Sequence, residues 1–184
     1  MLPLPPGPFS VVYADPPWEY SDRLRHRGAS GTIRGAASHY QTMALADILV
    51  LPVAEIAAPN AALFLWATGP MMQEALDTVA FWGFKFKTVA FTWTKTTKRG
   101  LPHFGMGRYT RSGSEFVLLG IRGRMPPLSR SVRQLVQAPI GVHSAKPPEV
   151  ARRIEMLYGN VPRVELFARV RLPGWEAWGD ELQG

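Results

Sequence analysis

The stretch Phe9-Ser10-Val11-Val12-Tyr13-Ala14-Asp15-Pro16-Pro17-Trp18 decides how the rest of the chain is read. Its first six residues are almost all apolar, β-branched or aromatic, the composition of a short buried strand. Proline has no N–H and cannot extend a ladder, so the pair at 16 and 17 stops the strand and leaves Asp15 as its cap. A carboxylate in that place stands where open α/β sheets bind their ligands, outside the carboxyl ends of the strands.

Outward from this motif, Glu19 to Tyr40 is rich in Gly, Ser and Arg with little apolar periodicity, which predicts a long loop beginning beside Asp15. Leu45 to Ala58 predicts a helix around or after Pro52, and Ala62 to Ala67 a continuous apolar strand. Pro70 to Trp82 reads as a helix stopped by Gly83. Phe84 to Trp93 and Ser114 to Ile121 read as strands on either side of a basic, glycine-rich loop from Lys95 to Ser112. Leu135 to Ala138 predicts a short edge strand. Pro147 at the first helical position, with Val150, Ile154 and Leu157 at helical spacing, predicts a helix ending at Gly159-Asn160, and Val164 to Phe167 is the last expected strand. The alternation implies an α/β fold in a single domain spanning residues 1–184. Its sheet is expected to be mostly parallel with an antiparallel edge, and to carry helices on both faces.

At 184 residues and 46% hydrophobic content the chain is large enough for one substantial core. It contains no cysteine, and its four histidines lack ligand-like spacing, so no metal site is expected. The proline-rich start does not read as a signal peptide and no apolar run approaches a membrane span, so a cytoplasmic location is expected. The 21 Lys and Arg exceed the 14 Asp and Glu by 7. Lys95, Lys98, Arg99, Arg108, Arg111, Arg122, Arg124 and Arg130 face only Glu115 in their tract, and Arg23, Arg25, Arg27 and Arg34 form a second basic stretch. Such clusters mark either a nucleic-acid face or a solvated one.

Asp-Pro-Pro-Trp suits a particular chemistry. The lone pair of an adenine amine is delocalised into the ring, and hydrogen-bond acceptors on its two N–H groups help to redirect that pair toward an electrophile. Asp15 can accept one hydrogen and the Pro16 carbonyl the other, on a backbone that Pro16 and Pro17 hold in place before substrate arrives. Trp18 can stack on the purine, a contact typically worth about 1 to 3 kcal/mol. The bland alternative is a proline turn with Trp18 as a core aromatic.

The chain resembles the MT-A family of adenine methyltransferases, the group that includes the catalytic subunit of the eukaryotic messenger-RNA adenosine methyltransferase. The likeness rests on VVYADPPW (Val11 to Trp18), SHYQTM (Ser38 to Met43), ALFLWAT (Ala62 to Thr68), FTWTKT (Phe91 to Thr96), HSAKP (His143 to Pro147), VELFAR (Val164 to Arg169) and WEAWGDEL (Trp175 to Leu182). It implies a Rossmann-like methyltransferase fold in which the catalytic loop precedes the final cofactor-binding strand, and S-adenosylmethionine as cofactor. It also implies that Asp15, His143 and Lys146 bind the cofactor, Lys146 meeting the methionine carboxylate, with Arg169, Asp180 and Glu181 near the ribose and adenine. Relatives often carry an amide where this chain has Asp180. Tyr20, His39, Tyr40, Trp93 and Lys95 join Trp18 as expected substrate-binding residues.

The resulting expectation is direct in-line methylation of adenine's exocyclic amine in a nucleic acid, with DNA favoured over RNA. A chain of this length leaves little room for a target-recognition domain, so sequence preference is expected to be short, relaxed or shared across a homodimer. Methylation of RNA, methylation of the cytosine amine, and a non-catalytic nucleic-acid-binding subunit of a methyltransferase complex stay open as alternatives.

Overall fold

A computed structural model describes residues 3–20, 42–105, 107, 109–141 and 145–182. Seven strands form one sheet: β1 (Phe9–Ala14), β2 (Ala57–Ala67), β3 (Lys85–Thr96), β4 (Ser114–Arg122), β5 (Leu135–Pro139), β6 (Arg163–Leu166) and β7 (Glu176–Trp178). Their spatial order is β5-β3-β4-β2-β1-β6-β7. Helices α1 (Leu45–Leu49) and α2 (Val53–Ile56) are single turns separated by Pro52, while α3 (Met72–Phe81) and α4 (Glu149–Tyr158) are longer.

Side-chain alternation along each strand divides the core into two layers. Val12 and Ala14 of β1 and Leu63, Leu65 and Ala67 of β2 pack with Ile48 of α1, Val53 of α2, and Ala75 and Val79 of α3. Val11 and Tyr13, Phe64 and Trp66, Phe91 and Trp93 point the other way and meet Val150, Ala151 and Ile154 of α4. Helices therefore cover both faces, as expected.

Pairing of β1 with β2 and β6, of β6 with β7, and of β3 with β5 is parallel, whereas β4 is antiparallel to both β2 and β3. Only β4 opposes the other strands, and it lies inside the sheet, which corrects the expectation of an antiparallel edge. The connection through α3 sets β3 one strand-width away from β2. β4 then folds back from β3 into that gap, and β5 supplies the edge beside β3.

Two boundaries also differ from expectation. β2 begins at Ala57 rather than Ala62, because its first residues pair with Phe9 through an irregularity that accommodates Pro59. Pro148 caps α4, which starts at Glu149 rather than at Pro147. β7, unexpected from the sequence, extends the sheet beyond β6. No helix among the described residues is long and apolar enough to cross a membrane.

Candidate active site

Because every strand but β4 runs the same way, the carboxyl ends of β1, β2, β3 and β6 share one edge of the sheet with the start of β4. Asp15 follows β1 directly. Its N–H donates to the Leu166 carbonyl at 3.5 Å, prolonging the parallel ladder by one residue. The turn behind it is tied down: the Pro16 carbonyl accepts from Trp18 N–H at 2.9 Å, and the Pro17 carbonyl accepts from Met43 N–H at 2.8 Å. A carbonyl oxygen has two lone pairs, so Pro16 retains one acceptor site.

Four charged side chains meet on the layer that contains Tyr13, Trp66 and Trp93. Lys95 near the end of β3 contacts Glu115 at 2.5 Å, Lys146 contacts Glu115 at 3.1 Å, and Lys146 also contacts Asp15 at 3.0 Å. Aromatic faces lie beneath the cations, Lys146 Nζ being 5.2 Å from the centroid of Trp66 and Lys95 Nζ 5.1 Å from that of Trp93. Burial alone pushes the Glu115 carboxyl up, but the two ammonium groups outweigh it and hold the group below its ordinary range. At Lys146 burial works against the charge, yet its two carboxylate partners prevail and raise the pKa. Asp15 comes out the other way. Burial dominates the attraction of Lys146, and its carboxyl is raised.

A second group lies where β6 and β7 end. Phe167 turns the chain with φ of 61°, and its ring meets Trp178 edge-on at 5.4 Å. The Ala168 N–H donates to the Trp178 carbonyl at 2.9 Å, and a side chain at Gly179 would collide with the Ala168 backbone. Glycine at 179 thus lets the two turns touch, bringing Arg169 Nε within 3.3 Å of Glu181. On β6, Glu165 stands beside Tyr13 in register. Burial pushes its carboxyl up to about 7, with the charge of Asp15 adding to the effect, and its buried Oε2 has no hydrogen-bond partner among the described residues.

Of the residues singled out from sequence, Asp15, Lys95 and Lys146 come together, with Tyr20 close by: its hydroxyl is 3.0 Å from that of Thr68, and burial raises its pKa, with the charges of Glu115 and Asp15 adding to the effect. Arg169 is close enough to Asp15 to favour its charged form, and Asp180 is exposed beside Glu181. The two tryptophans occupy core positions. Trp18 is 5% exposed and its indole N–H donates to the Trp66 carbonyl at 3.2 Å. Trp93 donates to the Ala138 carbonyl at 2.9 Å and packs edge-on against Trp66. In this arrangement neither ring offers a free face to a base, and Trp18 anchors the turn from below. His39, Tyr40 and His143 lie outside the described residues.

Sequence reasoning passed over Glu115, Glu165 and Trp66. Two were detectable: Glu115 is the lone acid in its basic tract, and Glu165 interrupts an otherwise apolar strand segment.

The paired charges gather at the carboxyl ends of the strands of an α/β sheet, the place where open sheets of this kind bind their ligands. The chain belongs to the MT-A70 family, whose model matches residues 9–181. It is 36% identical over 192 residues to the type II methyltransferase M.MunI of a Mycoplasma species, covering 97% of this chain and 80% of that protein. It is 28% identical over 183 residues to the human N(6)-adenosine-methyltransferase catalytic subunit METTL3, and 29% to an MT-A70-like N(6)-adenosine-methyltransferase of Arabidopsis thaliana. The chain spans 29% and 24% of those two proteins' lengths.

Proposed function

We propose that this protein transfers a methyl group from S-adenosylmethionine to the exocyclic amine of adenine in DNA, and that the matched region works as one domain of Rossmann-like methyltransferase fold. The observation that carries the reading is Asp15, a carboxylate on a proline-braced turn at the end of β1, in contact with Lys146. When bound, S-adenosylmethionine supplies a methyl group made electrophilic by its sulfonium.

The residues present fit that cofactor. Lys146 is a buried, reliably charged ammonium suited to the cofactor's carboxylate, and the Oε2 of Glu165, which has no hydrogen-bond partner among the described residues, calls for a donor such as an ammonium or a ribose hydroxyl. Arg169, Asp180 and Glu181 add polar groups on the adjoining turns. His143, which directly precedes Ser144-Ala145-Lys146, is included on the family likeness alone.

For the acceptor base, Asp15 takes one amine hydrogen and the remaining lone pair of the Pro16 carbonyl takes the other. That grip shifts the nitrogen toward tetrahedral geometry, and the released proton passes to Asp15 or to water. The Lys95–Glu115–Lys146 chain keeps the surroundings of Asp15 charged and ordered while the aromatic layer beneath excludes water. Tyr20, His39, Tyr40 and Lys95 remain the proposed surroundings of the base, and the part proposed for Trp93 is in the aromatic layer beneath them. The part proposed for Trp18 is to support the turn.

DNA is favoured over RNA on the match to the type II methyltransferase M.MunI, which runs along most of both chains. The test is to incubate the protein with methyl-labelled cofactor and matched DNA and RNA oligonucleotides, then to identify the modified base. N6-methyladenine in DNA is expected. Label only in RNA, or in cytosine, overturns the substrate assignment, and absence of cofactor binding by calorimetry favours a non-catalytic subunit.

A further inference from the structure

The segment between β3 and β4 is rooted in the charge cluster. Lys95 N–H donates to the Gly113 carbonyl at 2.8 Å, and His103 N–H donates to the Lys95 carbonyl at 2.9 Å. Beyond this root the two arms run close together. A side chain at Gly105 would collide with the Ser112 carbonyl, and one at Gly107 with the Thr110 carbonyl. Glycine at both positions lets the two arms lie against each other below Tyr109.

The segment's surface combines exposed aromatic side chains with cations. Tyr109 is 100% exposed, Phe104 76% and Leu101 63%. The Arg111 guanidinium lies 5.1 Å from the Phe104 ring centroid, Lys98 and Arg99 are exposed at the base, and no acidic residue occurs between Lys95 and Glu115. Exposed aromatics among cations complement a polyanion with stacked bases: the cations neutralise phosphates and the rings stack.

We propose that Leu101, Phe104, Tyr109 and Arg111, on the connection between β3 and β4, form a wedge that enters the DNA duplex beside the active site, Tyr109 filling the gap left when the target adenine leaves the stack. An adenine inside a duplex cannot reach Asp15, and an aromatic placed in the vacated space slows its return. The proposal rests on the adenine-methylation reading, and it adds how a duplex gives up its base to a site whose own tryptophans are buried.

The recognition site is first mapped on methylated plasmid DNA. Methylation rates are then measured for wild type and Tyr109→Ala on a duplex with the target adenine paired, and on one with it opposite an abasic site. The variant is expected to lose about 10- to 100-fold on the paired duplex and less than about threefold on the unpaired one, the loss of one stacked base. Fluorescence of 2-aminopurine at the target position is expected to rise with wild type and not with the variant. Equal losses on both duplexes, or no loss on either, overturn the wedge while leaving adenine methylation standing. A changed oligomeric state in Tyr109→Ala assigns the surface to a second copy of the chain and also overturns it. Wild-type protein that methylates no nucleic acid removes the functional reading, and the wedge with it.

Discussion

Lys146 Nζ stands 3.0 Å from Asp15 Oδ2 and 3.1 Å from Glu115 Oε2, so one ammonium is shared by two carboxylates from different strands' ends. The arrangement eases a conflict at Asp15. An ionised carboxylate is the stronger acceptor for an amine hydrogen, burial opposes ionisation, and the shared cation offsets part of that burial.

Asp15→Ala leaves Lys146 paired with Glu115 and removes one of the two acceptors for the amine. Methyl transfer is expected to fall by about a thousandfold or more, with cofactor binding by calorimetry largely retained. Normal turnover by this variant removes the mechanism.

Glu115→Ala leaves two largely buried cations facing each other without their common anion. Breaking a buried pair from one side typically costs about 3 to 5 kcal/mol, which urea unfolding would register as a clearly lower midpoint. An unchanged midpoint would show that the cluster is solvated and contributes little to the fold.

Glu165 gives stability a pH dependence whose sign follows from its raised pKa. Its folded value of about 7 exceeds the ordinary 4.5, so the folded state holds this proton more tightly than the unfolded one. The resulting stabilisation is complete below about pH 4.5 and is lost as pH rises through about 7. Glu165→Gln cannot ionise. Its stability relative to wild type is expected to increase between about pH 5 and pH 8, and a constant difference over that window contradicts the assignment.

Trp18→Phe separates the two roles considered for this ring. Loss of the indole N–H bond to the Trp66 carbonyl, together with the volume change in the core, is expected to cost about 1 to 3 kcal/mol of stability. Unchanged stability with a steep rise in KM for DNA would instead show that the ring meets the base.

The short strands and the proline-stopped motif were legible because local rules govern them: β1 occupies Phe9–Ala14 as its composition requires, and β5 is an edge strand. β4's interior place was not legible, since periodicity reports which face a residue shows and nothing about lateral order. β7 was missed because Glu176–Trp178 is too short to display a period. In the site, Asp15 and Lys146 stood out through their motifs. Glu115 showed only as a lone acid among cations, and its place in the cluster comes from pairing with Trp93 across β3 and β4, which sets it beside Lys95. Only pairing in three dimensions connects a lone acid to two distant lysines. The burial of Trp18 was likewise a tertiary outcome, decided by the hydrogen bond that Trp66 offers.

β1 lies between β2 and β6, with Val11 in register with both Ala62 and Arg163. Neighbours so remote along the polypeptide slow folding, because the intervening loop must close before the contact repays it. During synthesis, therefore, the carboxylate at position 15 lacks the flank that β6 provides until Leu166 has been added, about 150 residues later.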